Sequence, residues 1–190
     1  NYGVGYDAVD VKQATLSNVK VTNTPDVLND EVADTAIALT LCVYKNIALA
    51  NQFLLEKKWL KSEYPLSKKF SGTKFGILGM GRIGKTIAKR IESFNCEICY
   101  HSRNQKDVKY KYFSKLEDLA EYVDTLCVIT PGGEETKHLV NANVLQKLGK
   151  NGFLINIARG TVIDQKALIY ALQNNIIRGA GLDVFENEPN

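Results

Sequence analysis

Lys74-Phe75-Gly76-Ile77-Leu78-Gly79-Met80-Gly81-Arg82-Ile83-Gly84 is the stretch that decides the fold. Its first half is an apolar run of strand type, its second half is G-x-G-x-x-G, and an amphipathic helical pattern follows over 82–94. A glycine turn between a strand and a helix is the entry to a dinucleotide-binding βαβ unit. In that setting Gly79 permits the tight turn, Gly81 lets backbone approach a pyrophosphate, and Gly84 lets the helix pack on the strand. The helix N-terminus then offers N–H groups to phosphate. Met80, Arg82 and Ile83 complete the loop and join the three glycines as cofactor-binding candidates.

Outward from this loop, short β-branched runs alternate with helical ones, the pattern of a parallel sheet with crossover helices. Strands are expected at 20–22, 74–78, 97–101, 125–130, 153–157 and 179–183. Several are nearly continuous apolar runs, as strands covered on both faces should be. Helices are expected at 82–94, 116–122, 143–148 and 166–173. Ser114 and Glu117 have capping-box spacing for the second, and Asn141 and Asp164 suit the N-caps of the last two. The expected fold is α/β, a Rossmann-type doubly wound parallel sheet, with residues 1–190 forming one dinucleotide-binding domain.

Residues 31–59 read as one long helix opened by Asn29 or Asp30. Val32, Ala36, Ile37, Leu39, Leu41 and Val43 make its first half apolar almost all round, which requires burial on more than one side. A homodimer partner would supply that, and so would a deep place in the monomer core.

The second strand bears on the choice of dinucleotide. NAD sites usually place Asp or Glu at its end, about 20 residues on, to bond the ribose 2′-hydroxyl. Here the strand runs into Tyr100-His101-Ser102-Arg103-Asn104, with no acid until Asp107. A carboxylate would repel a 2′-phosphate, whereas the Ser102 hydroxyl and Arg103 guanidinium would bind one. The expectation is NADP(H). NAD(H) is the alternative, with Arg103 then a solvated surface charge.

With 190 residues, 45% of them hydrophobic, 24% charged and a net charge of +3, the chain has the make-up of an ordinary globular domain. Its dispersed lysines argue against a nucleic-acid or polybasic membrane surface. The longest apolar run, 36–44, is too short to span a bilayer. No basic region followed by an apolar stretch opens the chain, so no signal peptide is expected. The glycine-rich start and the end at Glu188-Pro189-Asn190 read as cuts within a longer protein. Cys96 and Cys99 have C-x-x-C spacing, but an offset of three on a strand points them to opposite faces. No second pair completes a metal site. Cys42, Cys96, Cys99 and Cys127 read as reduced thiols of a cytoplasmic protein.

Five ordered motifs resemble those of D-2-hydroxyacid dehydrogenases. They are Thr22-Asn23-Thr24-Pro25-Asp26-Val27-Leu28, Glu31-Val32-Ala33-Asp34, the glycine loop, Asn156-Ile157-Ala158-Arg159-Gly160, and Gly179-Ala180-Gly181-Leu182-Asp183-Val184-Phe185-Glu186-Asn187-Glu188-Pro189. Phe70-Ser71-Gly72 and Ser102-Arg103 resemble the glyoxylate/hydroxypyruvate reductase branch, which includes hydroxyphenylpyruvate reductases. The resemblance implies an oxidoreductase that reduces a small 2-oxo acid to the D-2-hydroxy acid. It also implies that Arg159 binds the substrate carboxylate and polarises the keto oxygen, with Val4-Gly5 as the loop whose amides hold the same carboxylate. Glu188 matches the acid that pairs with the catalytic histidine, keeping it protonated, and Glu186 is its neighbour and competitor. Asp183 would lie near the nicotinamide carboxamide, and Thr130-Pro131 and Ile157-Ala158 would line the cofactor cleft.

Two departures stand out. Gly132-Gly133 follow Pro131 where the family often has a small apolar residue and a threonine, which should loosen that loop. The family histidine is expected beyond Asn190, with the rest of the substrate domain, so the chain alone should turn over little or nothing. His101 and His138 are read as structural or solvated. Rival readings are an NAD-dependent phosphoglycerate or D-lactate dehydrogenase, a non-catalytic corepressor-like nucleotide sensor, and an unrelated Rossmann module.

Overall fold

A computed structural model describes residues 1–188; Pro189, the last member of the fifth motif, and Asn190 lie outside the described residues. Six parallel strands form one sheet: β1 (Lys74–Leu78), β2 (Glu97–His101), β3 (Lys111–Phe113), β4 (Thr125–Val128), β5 (Phe153–Asn156) and β6 (Gly179–Leu182). Their spatial order is β3-β2-β1-β4-β5-β6, the doubly wound Rossmann arrangement. Helices α1 (Val11–Leu16), α2 (Asn29–Lys45), α3 (Ile47–Leu55), α4 (Arg82–Glu92), α5 (Leu116–Tyr122), α6 (Ala142–Leu148) and α7 (Gln165–Gln173) surround it.

The strand period of two divides the core between the two faces. In β4, Leu126 and Val128 join the cluster under α5, α6 and α7, while Cys127 joins the cluster under α2 and α4. In β5, Leu154 faces the first cluster, and Phe153 and Ile155 face the second. Cys99 lies in the first cluster and Cys96 against the second, the opposite-face placement that the spacing implied. All four cysteines are free. Burial pushes the Cys99 thiol up to about 11 and the Cys127 thiol up to about 12, so both stay protonated.

The long helix expected over 31–59 does not form as one piece. Asn46 adopts a left-handed conformation (φ 52°), and its N–H closes α2 onto the Cys42 and Val43 carbonyls. Asn tolerates this region because its short polar side chain carries a small penalty there. The axis bends by 55° between α2 and α3. The two halves then have different surroundings. Ala33, Ala36, Thr40 and Tyr44 of α2 are fully buried, and the Tyr44 hydroxyl meets Thr125 Oγ1 at 2.8 Å. In α3 and after it, Ile47, Leu49, Leu54, Leu55 and Trp59 stay exposed. The monomer core therefore buries one face of α2, leaving Val32, Ile37, Leu39, Leu41 and Val43 partly buried, and buries no residue of α3, where Phe53 packs on Tyr64.

Other boundaries shift for local reasons. The stretch 20–22 is not a strand; it lies beside the N-terminus, where the Asn1 ammonium donates to the Thr22 carbonyl at 2.8 Å. β3 was not legible, being a three-residue edge strand carrying Lys111 between two tyrosines. The exposed α1 lies outside the helices expected from the sequence, although Asp10 caps it by accepting from the Gln13 N–H. Ser114 and Glu117 do not form a capping box: α5 starts at Leu116, as expected, which puts Lys115 and not Ser114 at its N-cap, with no side-chain cap bond. Asn29 lies inside the first turn of α2, with Leu28 at the N-cap. Asn141 and Asp164 do cap α6 and α7.

Candidate functional site

Because all six strands are parallel, their carboxyl ends share one edge of the sheet. The strand order reverses between β1 and β4, and open α/β sheets bind ligands outside such a point. Three glycines build the turn there. Gly79 has φ +112°, and a Cβ on it would lie 2.6 Å from the Ile129 carbonyl oxygen. A Cβ on Gly84 would collide with the Gly79 carbonyl. Both glycines are thus needed by the protein's own packing. Gly81, the N-cap of α4, has nothing within 4 Å of where a Cβ would be and keeps an open approach. The first bond of α4 runs from the Lys85 N–H to the Gly81 carbonyl at 3.0 Å. The Arg82, Ile83 and Gly84 N–H groups precede the helical ladder and suit an anion.

The other loop residues divide. Met80 is buried in the core, so only its backbone can face a ligand, and Ile83 packs partly against the same core. The Arg82 guanidinium pairs with Asp26, Nε lying 3.2 Å from Oδ1.

Thr130 fits a bound group. Its Oγ1 is buried and has no hydrogen-bond partner among the described residues, and such an atom normally has one. The loop after Pro131 is tighter than its two glycines suggested, because Thr136 Oγ1 donates to the Pro131 carbonyl at 2.8 Å and lies 3.1 Å from that of Gly133. At the end of β2, Ser102 Oγ donates to the Asn104 carbonyl at 2.7 Å, and exposed Arg103 pairs with Glu135 at 3.1 Å. Glu135 carries no signal in the sequence, as it lies 32 residues away and has no pattern of its own.

At the other end of the edge, buried Asn156 shapes the turn after β5. Its side chain accepts from the Ala158 N–H at 3.1 Å and donates to the Arg159 carbonyl at 3.1 Å. Ile157 and Ala158 are buried, so they can line a cleft mainly through backbone. A Cβ on Gly160 would collide with the Phe185 backbone, so this turn rests on the loop after β6. The Asp183 N–H donates to the Asn156 carbonyl at 2.9 Å, and its side chain is exposed at the same edge. Glu188 turns back to accept from the Phe185 N–H, while Glu186 Oε1 lies 3.2 Å from His138 Nε2.

Arg159 is held by a residue that carried no signal in the sequence. Its Nε and Nη2 meet the Asp7 carboxylate at 3.1–3.2 Å, and Nη1 donates to the Ala158 carbonyl at 2.8 Å. Hydrogen bonding from Arg159 holds the Asp7 carboxyl below its ordinary value. The Val4-Gly5 loop is adjacent: a Cβ on Gly5 would overlap the Arg159 guanidinium, and Asn23 Nδ2 donates to the Val4 carbonyl at 2.8 Å. Asn23 and Asn156 stand within the motifs, with no task of their own visible in the sequence. The signal for Asn156 was an amide closing an apolar strand, where burial demands partners.

Residues 37–190 match the family described as D-isomer specific 2-hydroxyacid dehydrogenase, NAD binding domain. Over 190 residues the chain is 45% identical to glyoxylate/hydroxypyruvate reductase A of Arabidopsis thaliana, covering all of this chain and 61% of the relative. It is 44% identical to hydroxyphenylpyruvate reductase of Plectranthus scutellarioides, again covering all of this chain and 61% of the relative. Among solved structures, the NADPH-dependent glyoxylate/hydroxypyruvate reductase of Sinorhizobium meliloti in complex with NADP and malonate superposes with a TM-score of 0.94 at 50% identity, over 99% of this chain and 60% of that one. The chain therefore spans about 60% of the length of these relatives. It belongs to the D-isomer specific 2-hydroxyacid dehydrogenase family and comprises its NAD binding domain.

Proposed function

We propose that the full-length protein reduces a small 2-oxo acid of the glyoxylate/hydroxypyruvate type to the D-2-hydroxy acid and prefers NADP(H) to NAD(H). The observation that carries this reading is the placement of a phosphate turn and a carboxylate-binding guanidinium, Arg159, on one edge of the sheet. The names of the relatives supply the substrate class. The preference rests on Ser102 and Arg103, which replace the acid that would repel a 2′-phosphate.

The dinucleotide, when bound, supplies the hydride. The protein's residues do the rest. The α4 N–H groups and the Gly81 opening would receive the pyrophosphate, and Thr130 Oγ1 would have a partner in the bound group. Arg159 and the Val4-Gly5 amides orient the oxo acid, and the guanidinium stabilises charge developing on its oxygen. Glu188 leaves the Phe185 N–H to pair with the histidine that the family places later in the chain, holding its proton ready.

The exposed apolar residues of α3 and Trp59 suit a homodimer contact with a second copy. A monomer in sedimentation at micromolar concentration would overturn that. The free thiols suit the cytoplasm, which fractionation of cells would test.

The decisive experiment compares kcat/KM for NADPH and NADH, with glyoxylate and hydroxypyruvate, in wild type and Arg103→Ala. Wild type should favour NADPH, and the variant should lose about 10- to 100-fold of that preference, the value of a charge-assisted phosphate contact. A wild type that favours NADH overturns the cofactor reading, and one that reduces neither acid overturns the substrate reading.

A further inference from the structure

Asp7 and Arg159 meet across 152 residues of sequence. Asp7 Oδ1 and Oδ2 accept from Nε at 3.2 and 3.1 Å, and Oδ1 lies 3.1 Å from Nη2. Nη1 donates to the Ala158 carbonyl. A guanidinium carries five N–H bonds in one plane. The hydrogen bonds engage Nε and one N–H of Nη1, and Nη2 is held by the ion pair with Oδ1, so one N–H remains on Nη1 and Nη2 keeps N–H to offer beside it. Two coplanar N–H bonds from neighbouring nitrogens are what two-pronged recognition of a carboxylate requires.

From this geometry we propose that Asp7 is a positioning residue for the substrate: it clamps the Nε–Nη2 side of Arg159, so that the remaining N–H bonds meet the substrate carboxylate in one fixed orientation. The proposal rests on the reading of Arg159 as the carboxylate ligand.

Three observations support the clamp. The Arg159 side chain is 41% exposed, so without a partner its long stem would sample many rotamers. Asp7 belongs to the same loop as Val4 and Gly5, so a single pair fixes both proposed carboxylate ligands relative to one another. The channel it occupies is lined by absent side chains: a Cβ on Gly5 would overlap Nη2, and one on Gly132 would come within 2.8 Å of Arg159 Cγ and 3.1 Å of Asp7 Oδ2. This accounts for Gly132, a departure from the family pattern. Hydrogen bonding from Arg159 also keeps Asp7 ionised and the clamp intact through the neutral range.

The rival is that Asp7 competes with the substrate for Arg159. The two differ in the sign of one measurement. In the full-length protein, Asp7→Asn, Asp7→Glu, Arg159→Ala and the double variant Asp7→Asn/Arg159→Ala are compared by KM and kcat for glyoxylate, KM for NADPH, Kd for malonate by calorimetry, and thermal midpoint. The clamp predicts that Asp7→Asn raises KM and malonate Kd about tenfold, as expected for a misaligned binding group. It predicts a smaller change in kcat, an unchanged KM for NADPH, and no further loss when Asp7→Asn is added to Arg159→Ala. Asp7→Glu, which keeps the charge, should recover part of the loss and serves if Asp7→Asn does not fold. An unchanged or lowered KM, a parallel rise in KM for NADPH, or an equal loss in the Arg159→Ala background overturns the clamp. A wild type that binds malonate without reducing glyoxylate breaks the functional reading instead, and the malonate Kd then decides the clamp alone.

Discussion

At the phosphate end of the sheet edge, Gly79 and Gly84 stand against backbone carbonyls, those of Ile129 and of Gly79 itself. At the arginine end, Gly5 and Gly132 stand against side-chain atoms of Arg159 and Asp7. One end is made of main chain, the β1–α4 turn against itself and against the end of β4, and the other of an ion pair joining residues 152 apart. Main chain in a packed turn cannot retreat from an added methyl group, whereas a side chain can rotate. The two ends should therefore fail differently: the first by losing the fold around the turn, the second by losing alignment while the fold survives.

Gly84→Ala tests the first and should have the largest effect. Its methyl group meets the Gly79 carbonyl, so overpacking should cost about 1–3 kcal/mol. For a domain of this size that lowers the thermal midpoint by roughly 2–12 °C, and dinucleotide Kd, measured by fluorescence titration, should rise with it. A variant that melts like wild type and binds as tightly would show that the helix–strand contact has slack. Gly132→Ala tests the second. Its obstacles are Arg159 Cγ and the Asp7 carboxylate, which can move by tenths of an ångström. Stability should fall by less than about 1 kcal/mol, KM for the oxo acid should rise about threefold to tenfold, and KM for the dinucleotide should stay. A midpoint loss as large as that of Gly84→Ala would erase the distinction.

Legibility in the sequence follows the same division. The phosphate turn was readable because each of its requirements is local: a strand, three spaced glycines and a helix start lie within eleven consecutive residues. Asn141 and Asp164 were readable for the same reason, as caps act on N–H groups two or three residues away. The break at Asn46 was not, because an asparagine inside an apolar helical pattern is compatible with both continuing and turning. What decides is that α2 must bury Ala33, Ala36, Thr40 and Tyr44 against the sheet while α3 leaves it. Arg159 was marked by family resemblance, but its partner was not, since Asp7 gains meaning only when two distant loops meet.

From the sequence alone came the parallel α/β architecture, the phosphate turn, the missing acid at Ser102-Arg103 and the motifs that mark the family, because periodicity, glycine spacing and charge at a strand end are properties of neighbours along the chain. Only the tertiary structure decided that the long apolar segment divides into a buried helix and an exposed one, that Arg103 faces Glu135, and that Asp7 holds Arg159. Those outcomes depend on which side chains come within a few ångströms across the folded sheet edge, and sequence separation carries no record of that distance.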